Sequence, residues 1–249
     1  MNINWEINET DVQKVKTFLN EHQNPFVVQR ISRNVKKQNV EIDRNSILKG
    51  IVMCLLTSQQ RSGPNSPISK FLRLQPFHFT VEEFTSQKSL ENFIKETLKK
   101  HGLNRYINRI SEYIVTNFNH LEKTNWQLFN NLEPLINVKA QKEFERELAN
   151  NIVQSFKGFG PKQSRNLLQS LGLTKYEIPI DSRITNWLNK FGFPLTLSSI
   201  ALQDKEYYNF VSDGIQALCE RANIFPCVLD AAIFSSFDNG EWTDDNIVY

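Results

Sequence analysis

The sequence predicts an all-α protein. Apolar residues recur at three- and four-residue intervals along most of the chain, the spacing that places them on one face of a helix. No run alternates apolar and polar residues as a half-buried strand does, and we find no internal repeat or low-complexity linker. The 249 residues suffice for one large domain or two small interlocked ones. We expect two helical lobes with a cleft between them.

Eight apolar stripes predict the individual helices. Residues that favour helix starts precede several of them, namely Asn8 or Thr10, Asp43 and Ser89, and glycines follow two of them, Gly102 and Gly172. Breaks that contain proline are predicted at 63–64, 75–76, 133–134 and 193–194. In chain order, the stripes are Val12, Val15, Phe18 and Leu19; Ile47, Ile51 and Leu55; Leu90, Phe93, Ile94 and Leu98; Ile107, Ile110, Ile114 and Phe118; Phe144, Leu148, Ile152, Val153 and Phe156; Leu167, Leu168 and Leu171; Phe210, Ile215 and Leu218; Val228, Leu229, Ala232 and Ile233.

Composition excludes several classes of protein. The longest apolar run, residues 51–56, is far shorter than the roughly 20 residues that span a bilayer. The three cysteines are scattered and form no C-x-x-C pair, so a disulfide framework and a thiolate metal site are not expected. Neither a basic start nor an apolar stretch marks the N-terminus as a secretory signal, and we therefore expect a cytoplasmic protein without a membrane partner.

Positive charge is concentrated in one part of the chain. The net charge is only +2, but residues 157–190 contain six positive and two negative side chains. A basic segment in a nearly neutral protein indicates a surface that faces phosphate groups, although the same segment is compatible with an ordinary solvated face.

The sharpest local feature is the segment 156–165, Phe-Lys-Gly-Phe-Gly-Pro-Lys-Gln-Ser-Arg, between two predicted helices. Gly158 and Gly160 permit a tight turn and a close approach to another surface, and Pro161 suits the first turn of the following helix. Backbone N–H groups at a helix N-terminus form a binding site for phosphate. An ordinary connection between two helices is the alternative.

Lys162 and Asp181 are the candidate catalytic residues. Lys162 begins the second helix, where the helix dipole and the neighbouring Lys157 and Arg165 favour the neutral amine that a nucleophile requires. Asp181 lies nineteen positions later, among apolar residues at another helix start, where it is also a candidate N-cap. Taken singly, Lys162 reads as a surface lysine, and the pairing is what favours chemistry.

This combination resembles the helix-hairpin-helix DNA glycosylases, and most closely the compact 8-oxoguanine DNA glycosylases. The specific match covers about residues 144–190. It implies a two-lobed helical fold, with 45–150 as one lobe and 1–44 plus 151–249 as the lobe that carries the hairpin. A lysine at the end of the hairpin is similar to that of the bifunctional members, which remove the base and then cut the strand.

The resemblance also implies roles for further residues. Gln59 corresponds to the side chain that fills the gap left by the extruded base, although a polar helix end explains it equally well. Phe234 is expected to stack on that base and Asp230, four residues earlier, to bind its edge; a plain core role is the alternative. The backbone at Gly158, Gly160 and Pro161, with the side chains of Arg165 and Arg183, is expected to contact DNA.

The chain departs from the family pattern at several positions. Lys157 replaces the usual proline before the hairpin, and Arg183 stands where many relatives have histidine. The cysteines that bind an iron–sulfur cluster in one branch of the superfamily are absent, and residues 1–45 show no β-rich domain like that of the longer 8-oxoguanine enzymes.

The resemblance leads to one expected function and two alternatives. We expect a base-excision repair enzyme that removes an oxidised base, 8-oxoguanine, from damaged duplex DNA through a Schiff base on Lys162 and β-elimination, with Asp181 assisting. No cofactor is expected apart from a monovalent cation on the carbonyls of Phe156 and Phe159. A monomer that associates with the nucleoid is expected. The alternatives are a monofunctional glycosylase for alkylated or other damaged bases and a non-catalytic DNA-binding module.

Overall fold

The computed structural model describes residues 4–58, 60, 62–136, 141–238 and 241–248, and all regular structure in these residues is helical. Single turns of π-helix (Ile31–Val35) and 3₁₀-helix (Ala201–Gln203, Asp244–Asn246) supplement the α-helices. The α-helices are α1 (Glu9–Glu21), α2 (Pro25–Arg30), α3 (Arg44–Leu56), α4 (Pro67–Leu72), α5 (Val81–Ser86), α6 (Leu90–Lys100), α7 (Ile107–Lys123), α8 (Gln127–Ile136), α9 (Lys142–Ser155), α10 (Pro161–Ser170), α11 (Ser182–Phe191), α12 (Lys205–Arg221) and α13 (Pro226–Ser236).

Each predicted stripe lies on a helix, except that Phe156 and Leu171 are the C-caps of α9 and α10, and the predicted caps are mostly confirmed. Asn8 and Asp43 are the N-caps of α1 and α3, each in a capping box that satisfies backbone N–H groups in both directions. Ser89 occupies the N-cap position of α6 but its side chain makes no capping hydrogen bond. Gly102 and Gly172 follow α6 and α10 with positive φ, as glycines after a helix commonly do.

Two features of the helical pattern differ from the prediction. Helices α2, α4 and α5 contain six residues each, which is too short for a recognisable apolar stripe. Pro134 lies inside α8 rather than at a break. It is near the C-terminal end of that helix, where a missing N–H group removes a single hydrogen bond, and Leu132 and Leu135 on either side are buried.

The first of two hydrophobic cores is built around α3, which is buried along almost its whole length. Helix α3 contacts α4, α5, α7 and α10, and α10 in turn packs on α9. A helix that is apolar on all sides belongs in the interior of a core, which explains the continuous run at 51–56. Because α3 ends at Leu56, the polar residues that follow it emerge at the edge of this core.

The second core joins the two ends of the chain. Helices α1 and α2 pack with α12 and α13, and α13 also contacts α11. The two cores are separate clusters, as a two-lobed fold requires. The hairpin residues Phe156 and Phe159 and the apolar face of α10 belong to the first core, although the sequence-based division placed 151–173 in the other lobe.

No helix in the described ranges is both long and apolar enough to cross a membrane.

Candidate active site

A cavity of about 1050 Å³ lies between residues of the two cores. Its lining comes from the end of α3, the start of α10, the start of α11 and one face of α13. Seven of the residues singled out in the sequence border it: Gly160, Pro161, Lys162, Asp181, Arg183, Asp230 and Phe234. The fold therefore brings together residues that are up to 74 positions apart, counted from Gly160 to Phe234.

The hairpin between α9 and α10 is a tight turn held from the side by α7. Gly158 has φ +83°, and a β-carbon there would lie 2.5 Å from Tyr113 Cδ2 and 2.8 Å from Leu55 Cδ2. The buried Asn117 accepts a hydrogen bond from the Lys157 amide and donates one to the Lys157 carbonyl. Only glycine suits this conformation and this closeness, and Asn117 is a contributor that the sequence analysis missed.

Lys162 lies in the first turn of α10, directly after the N-cap Gly160 and Pro161. Within the described part of the chain, its ammonium donates a hydrogen bond to Gln163 Oε1 over 3.4 Å. Gln163 is itself buried, and its Nε2 donates a hydrogen bond to the carbonyl of Cys54 at 2.6 Å. Lys162 thus faces the cavity beside an amide that α3 holds in place.

Asp181 is the N-cap of α11. Its Oδ1 accepts hydrogen bonds from the amides of Arg183 and Ile184, at 2.8 and 3.1 Å. The second oxygen, Oδ2, lies 4.0 Å from Arg183 Nη1, and a quarter of the side chain is exposed. The N-cap interpretation is correct: Oδ1 makes the cap hydrogen bonds, and Asp181 borders the cavity.

The structure corrects the expectation of a DNA contact at Arg165. Its side chain is 1% exposed and its Nε donates to Glu177 Oε2 at 2.9 Å. The guanidinium also lies over the ring of Tyr208, and Arg146 shares Glu177 from the other side. Because Glu177 is wholly buried, Arg165 is required as its counter-ion and is not available to a phosphate. The sequence pattern could not distinguish this buried charge from a surface one.

Arg183 covers one face of Phe234. The guanidinium carbon is 4.0 Å from the ring centroid, and the side chain lies between the carboxylates of Asp181 and Asp238. Phe234 also packs with Phe26, at 5.3 Å between ring centroids. A base that stacks on the Arg183 side of this ring has to displace the guanidinium.

Asp230 is 4% exposed and lies on the same face of α13 as Phe234. Gln169 Nε2 donates to its Oδ2 at 2.6 Å, and Arg30 Nη1 is 3.9 Å from the same oxygen. Burial raises the pKa of the Asp230 carboxyl to about 6, with Arg30 opposing this shift and Asp181 adding to it. A carboxyl group that is costly to ionise at the wall of a cavity is typical of a functional site.

The wedge candidate Gln59 falls outside the described residues. Its neighbours Thr57, Ser58 and Gln60 all border the cavity, so the segment that follows α3 reaches the site. Gln60 donates to the carbonyl of Leu56 at 2.8 Å, which closes the end of the helix.

Comparison with known protein families identifies the family to which this chain belongs. The family model described as 8-oxoguanine DNA glycosylase matches residues 27–224, well over half of the chain. The chain belongs to the 8-oxoguanine DNA glycosylase family. As a member of this family, it is a DNA glycosylase of base-excision repair. No curated protein sequence matches the chain significantly.

Two solved structures share the fold of this glycosylase. The 8-oxoguanine DNA glycosylase of Thermotoga maritima has 16% identity and a TM-score of 0.63, covering 93% of this chain and 98% of its own. The Methanocaldococcus jannaschii 8-oxoguanine glycosylase/lyase, in complex with a 15mer DNA containing 8-oxoguanine, has 18% identity and a TM-score of 0.63, covering 93% and 99%. Agreement over nearly the whole length confirms the two-lobed helical fold.

Proposed function

We propose that this glycosylase is bifunctional, excising 8-oxoguanine from duplex DNA and then cleaving the strand through a Schiff base on Lys162. One observation carries the proposal: Lys162, in the first turn of α10, and Asp181, the N-cap of α11, line the same cavity. The family membership supplies the substrate class, and a lysine and a carboxylate in one cavity supply the lyase chemistry.

The hairpin between α9 and α10 is the proposed binding site for the DNA backbone. The backbone N–H groups of Gly158, Gly160 and Lys162 lie at or just before the N-terminus of α10, where the helix dipole favours a phosphate. Arg183 is placed to change partner, from Asp181 and Asp238 to a phosphate, when the extrahelical nucleotide enters. Extrusion of the base costs a few kcal/mol, which binding of the bent DNA offsets.

In the first chemical step, neutral Lys162 Nζ attacks C1′ of the damaged nucleotide. The N–C1′ bond forms as the glycosidic bond breaks, and the departing base takes the electron pair and a proton released by the amine. Asp181 stabilises the positive charge that develops on the sugar, because its Oδ2 is not used by the helix cap. Opening of the sugar ring, with a proton going to O4′, gives the Schiff base.

In the second step, loss of a proton from C2′ releases the 3′ phosphate. The electrons of the C2′–H bond form a C2′=C3′ double bond, and the C3′–O bond breaks with its electrons on the phosphate. Water then hydrolyses the Schiff base and restores Lys162. All atoms come from the DNA, the lysine and water, so the reaction consumes no redox cofactor.

A monovalent cation on the carbonyls of Phe156 and Phe159 remains part of the proposal. Among the described residues, the Phe156 carbonyl accepts one long hydrogen bond, 3.4 Å from the Phe159 amide, and a carbonyl oxygen has a second lone pair for a cation. These carbonyls would hold the ion, which would add positive charge beside a phosphate. Among the described residues, no cluster of three His, Cys, Asp or Glu side chains suits a metal ion.

A monofunctional glycosylase is the second candidate, favoured by the hydrogen bond that ties Lys162 to Gln163. In that case Asp181 activates water at C1′ and Lys162 contacts only phosphate. A non-catalytic binding module is the third, and a cavity of about 1050 Å³ lined by Lys162, Asp181 and Asp230 argues against it because phosphate binding needs only a surface. Damaged duplex DNA is the proposed partner, and a monomer remains a prediction.

Strand scission and base release, measured separately, test the proposal. Duplex DNA with 8-oxoguanine is incubated with wild type, Lys162→Gln and the exposed control Lys190→Gln, and half of each sample is treated with alkali to reveal base-free sites. The proposal expects direct scission with wild type and the control alone. Alkali-dependent scission without direct scission in the wild type would instead support the monofunctional enzyme.

A further inference from the structure

The wall of the cavity contains three buried polar side chains, and two of them have incomplete hydrogen bonds. Arg30 ends α2, Gln169 lies on α10 and Asp230 lies on α13, and their exposures are 6%, 2% and 4%. All three border the cavity that contains Lys162. Neither Arg30 nor Gln169 stood out in the sequence, because each is one polar residue at the end of a short or amphipathic helix.

Arg30 is a buried cation, and two of its three guanidinium nitrogen atoms lack hydrogen-bond acceptors among the described residues. Its Nε and Nη1 are buried and have no hydrogen-bond partner in the described chain. The nearest carboxylate oxygen, Asp230 Oδ2, is 3.9 Å from Nη1, beyond hydrogen-bond distance. A guanidinium that served only structure would be expected to bond its carboxylate directly, because a buried charge with unmet donors lowers stability.

Gln169 supplies the complementary acceptor. Its Nε2 donates to Asp230 Oδ2 at 2.6 Å, which fixes the direction of the side-chain amide. Its Oε1 is buried and has no partner in the described residues. Arg30 and Gln169, which both line the cavity, therefore carry two unmet donors and one unmet acceptor next to the carboxylate that both approach.

We propose that Arg30 and Gln169 bind the edge of the extrahelical base, Arg30 donating to a ring carbonyl and Gln169 Oε1 accepting from an N–H group. This inference rests on the proposed function and names the chemical class of the base. A carbonyl oxygen beside ring and exocyclic N–H donors is the pattern of a guanine-type oxopurine, whereas adenine has an amino donor in place of the carbonyl. Arg30 is thereby a specificity-determining residue.

The experiment measures binding without chemistry. In full-length protein carrying Lys162→Gln, dissociation constants are determined for two duplexes, one with 8-oxoguanine and one with a tetrahydrofuran abasic analogue at the same position. Arg30→Met is added to test the proposal, and Arg221→Met, whose wild-type side chain is 57% exposed, is the matched control. We expect the preference for 8-oxoguanine over the abasic analogue to fall at least tenfold with Arg30→Met and to be retained in the control.

The possible outcomes distinguish a failure of this proposal from a failure of the proposed function. An undiminished preference in Arg30→Met overturns the role of Arg30 and leaves the proposed function standing. Equal binding of both duplexes by Lys162→Gln itself contradicts the proposed function, and this inference with it. Circular dichroism and thermal melting check that Arg30→Met folds. If Arg30→Met does not fold, the same two dissociation constants are measured for Arg30→Lys. That variant keeps a positive charge beside Asp230 but loses the planar fork, so a full preference in it also overturns the proposal.

Discussion

The side-chain amide of Asn117 holds both backbone polar groups of Lys157. Its Oδ1 accepts from the Lys157 amide at 2.7 Å, and its Nδ2 donates to the Lys157 carbonyl at 3.0 Å. Asn117 is 1% exposed on α7, so the hairpin is fastened to the core of the first lobe at its entry. Hairpin position and lobe packing are thus coupled.

Asn117→Leu tests this coupling. The variant leaves the backbone groups of Lys157 without their partner, and each unmet buried group costs about 1–3 kcal/mol. We expect a lower free energy of unfolding in urea and weaker binding of duplex DNA, measured by fluorescence anisotropy. Asn119→Leu, two positions along the same helix and exposed, is the control. Unchanged DNA affinity in Asn117→Leu would show that the hairpin does not depend on this clamp.

Gly158→Ala and Gly160→Ala form a matched pair two residues apart. The first places a β-carbon within 3 Å of Tyr113 and Leu55 at a positive φ, whereas nothing lies within 4 Å of a β-carbon at Gly160. We expect Gly158→Ala to lower the unfolding free energy by about 1 kcal/mol or more and Gly160→Ala by less. If the hairpin backbone meets DNA closely, Gly160→Ala still weakens DNA binding. Full affinity in a stable Gly160→Ala protein would place that contact elsewhere.

The two functions of Asp181 are separable by substitution. Asparagine caps helices about as well as aspartate, so Asp181→Asn is expected to keep the stability of α11 while losing the negative charge. Asp181→Ala loses both and costs about 1 kcal/mol of stability. We therefore expect single-turnover excision to fall strongly in both variants, and melting temperature to fall only in Asp181→Ala. Normal excision by Asp181→Asn would remove the carboxylate from the mechanism.

The Asp230 carboxyl predicts a pH dependence of stability. Burial raises its pKa from the ordinary 3.8 to about 6, so the folded state holds this proton more tightly than the unfolded state. Its favourable contribution is therefore complete below pH 4 and is lost as the pH rises to 6. Glu145 acts in the same direction, because burial raises its pKa to about 7.

Urea unfolding at pH 4, 5, 6 and 7 measures this effect. Asp230→Asn is expected to remove the change in unfolding free energy that occurs between pH 4 and pH 6. The contribution of Glu145 to the pH dependence remains in the variant. The quantity of interest is the difference in unfolding free energy between wild type and Asp230→Asn at each pH. Identical pH slopes in wild type and Asp230→Asn would show that Asp230 does not titrate in this range.

The sequence alone predicted the helical class, the glycine-containing turn before α10 and the helix-start positions of Lys162 and Asp181, because these depend on local spacing. The buried state of Arg165 was not predictable, since it depends on Glu177, which the fold places beside it. Asn117 and Arg30 were missed for the same reason: each acts on a segment far away in sequence. Local patterns identify candidate residues, whereas the contacts of those residues and the side chains around them are set by tertiary packing.

Covalent trapping with sodium borohydride tests the central claim, that Lys162 forms a Schiff base with the sugar of 8-oxoguanine in duplex DNA. Wild type and Lys162→Gln are incubated in parallel with duplexes that carry 8-oxoguanine opposite each normal base, and adducts are separated on denaturing gels. We expect an adduct with wild type and none with Lys162→Gln, with DNA binding largely intact in the variant. An equal adduct with Lys162→Gln, or base release by wild type without any adduct, would contradict it.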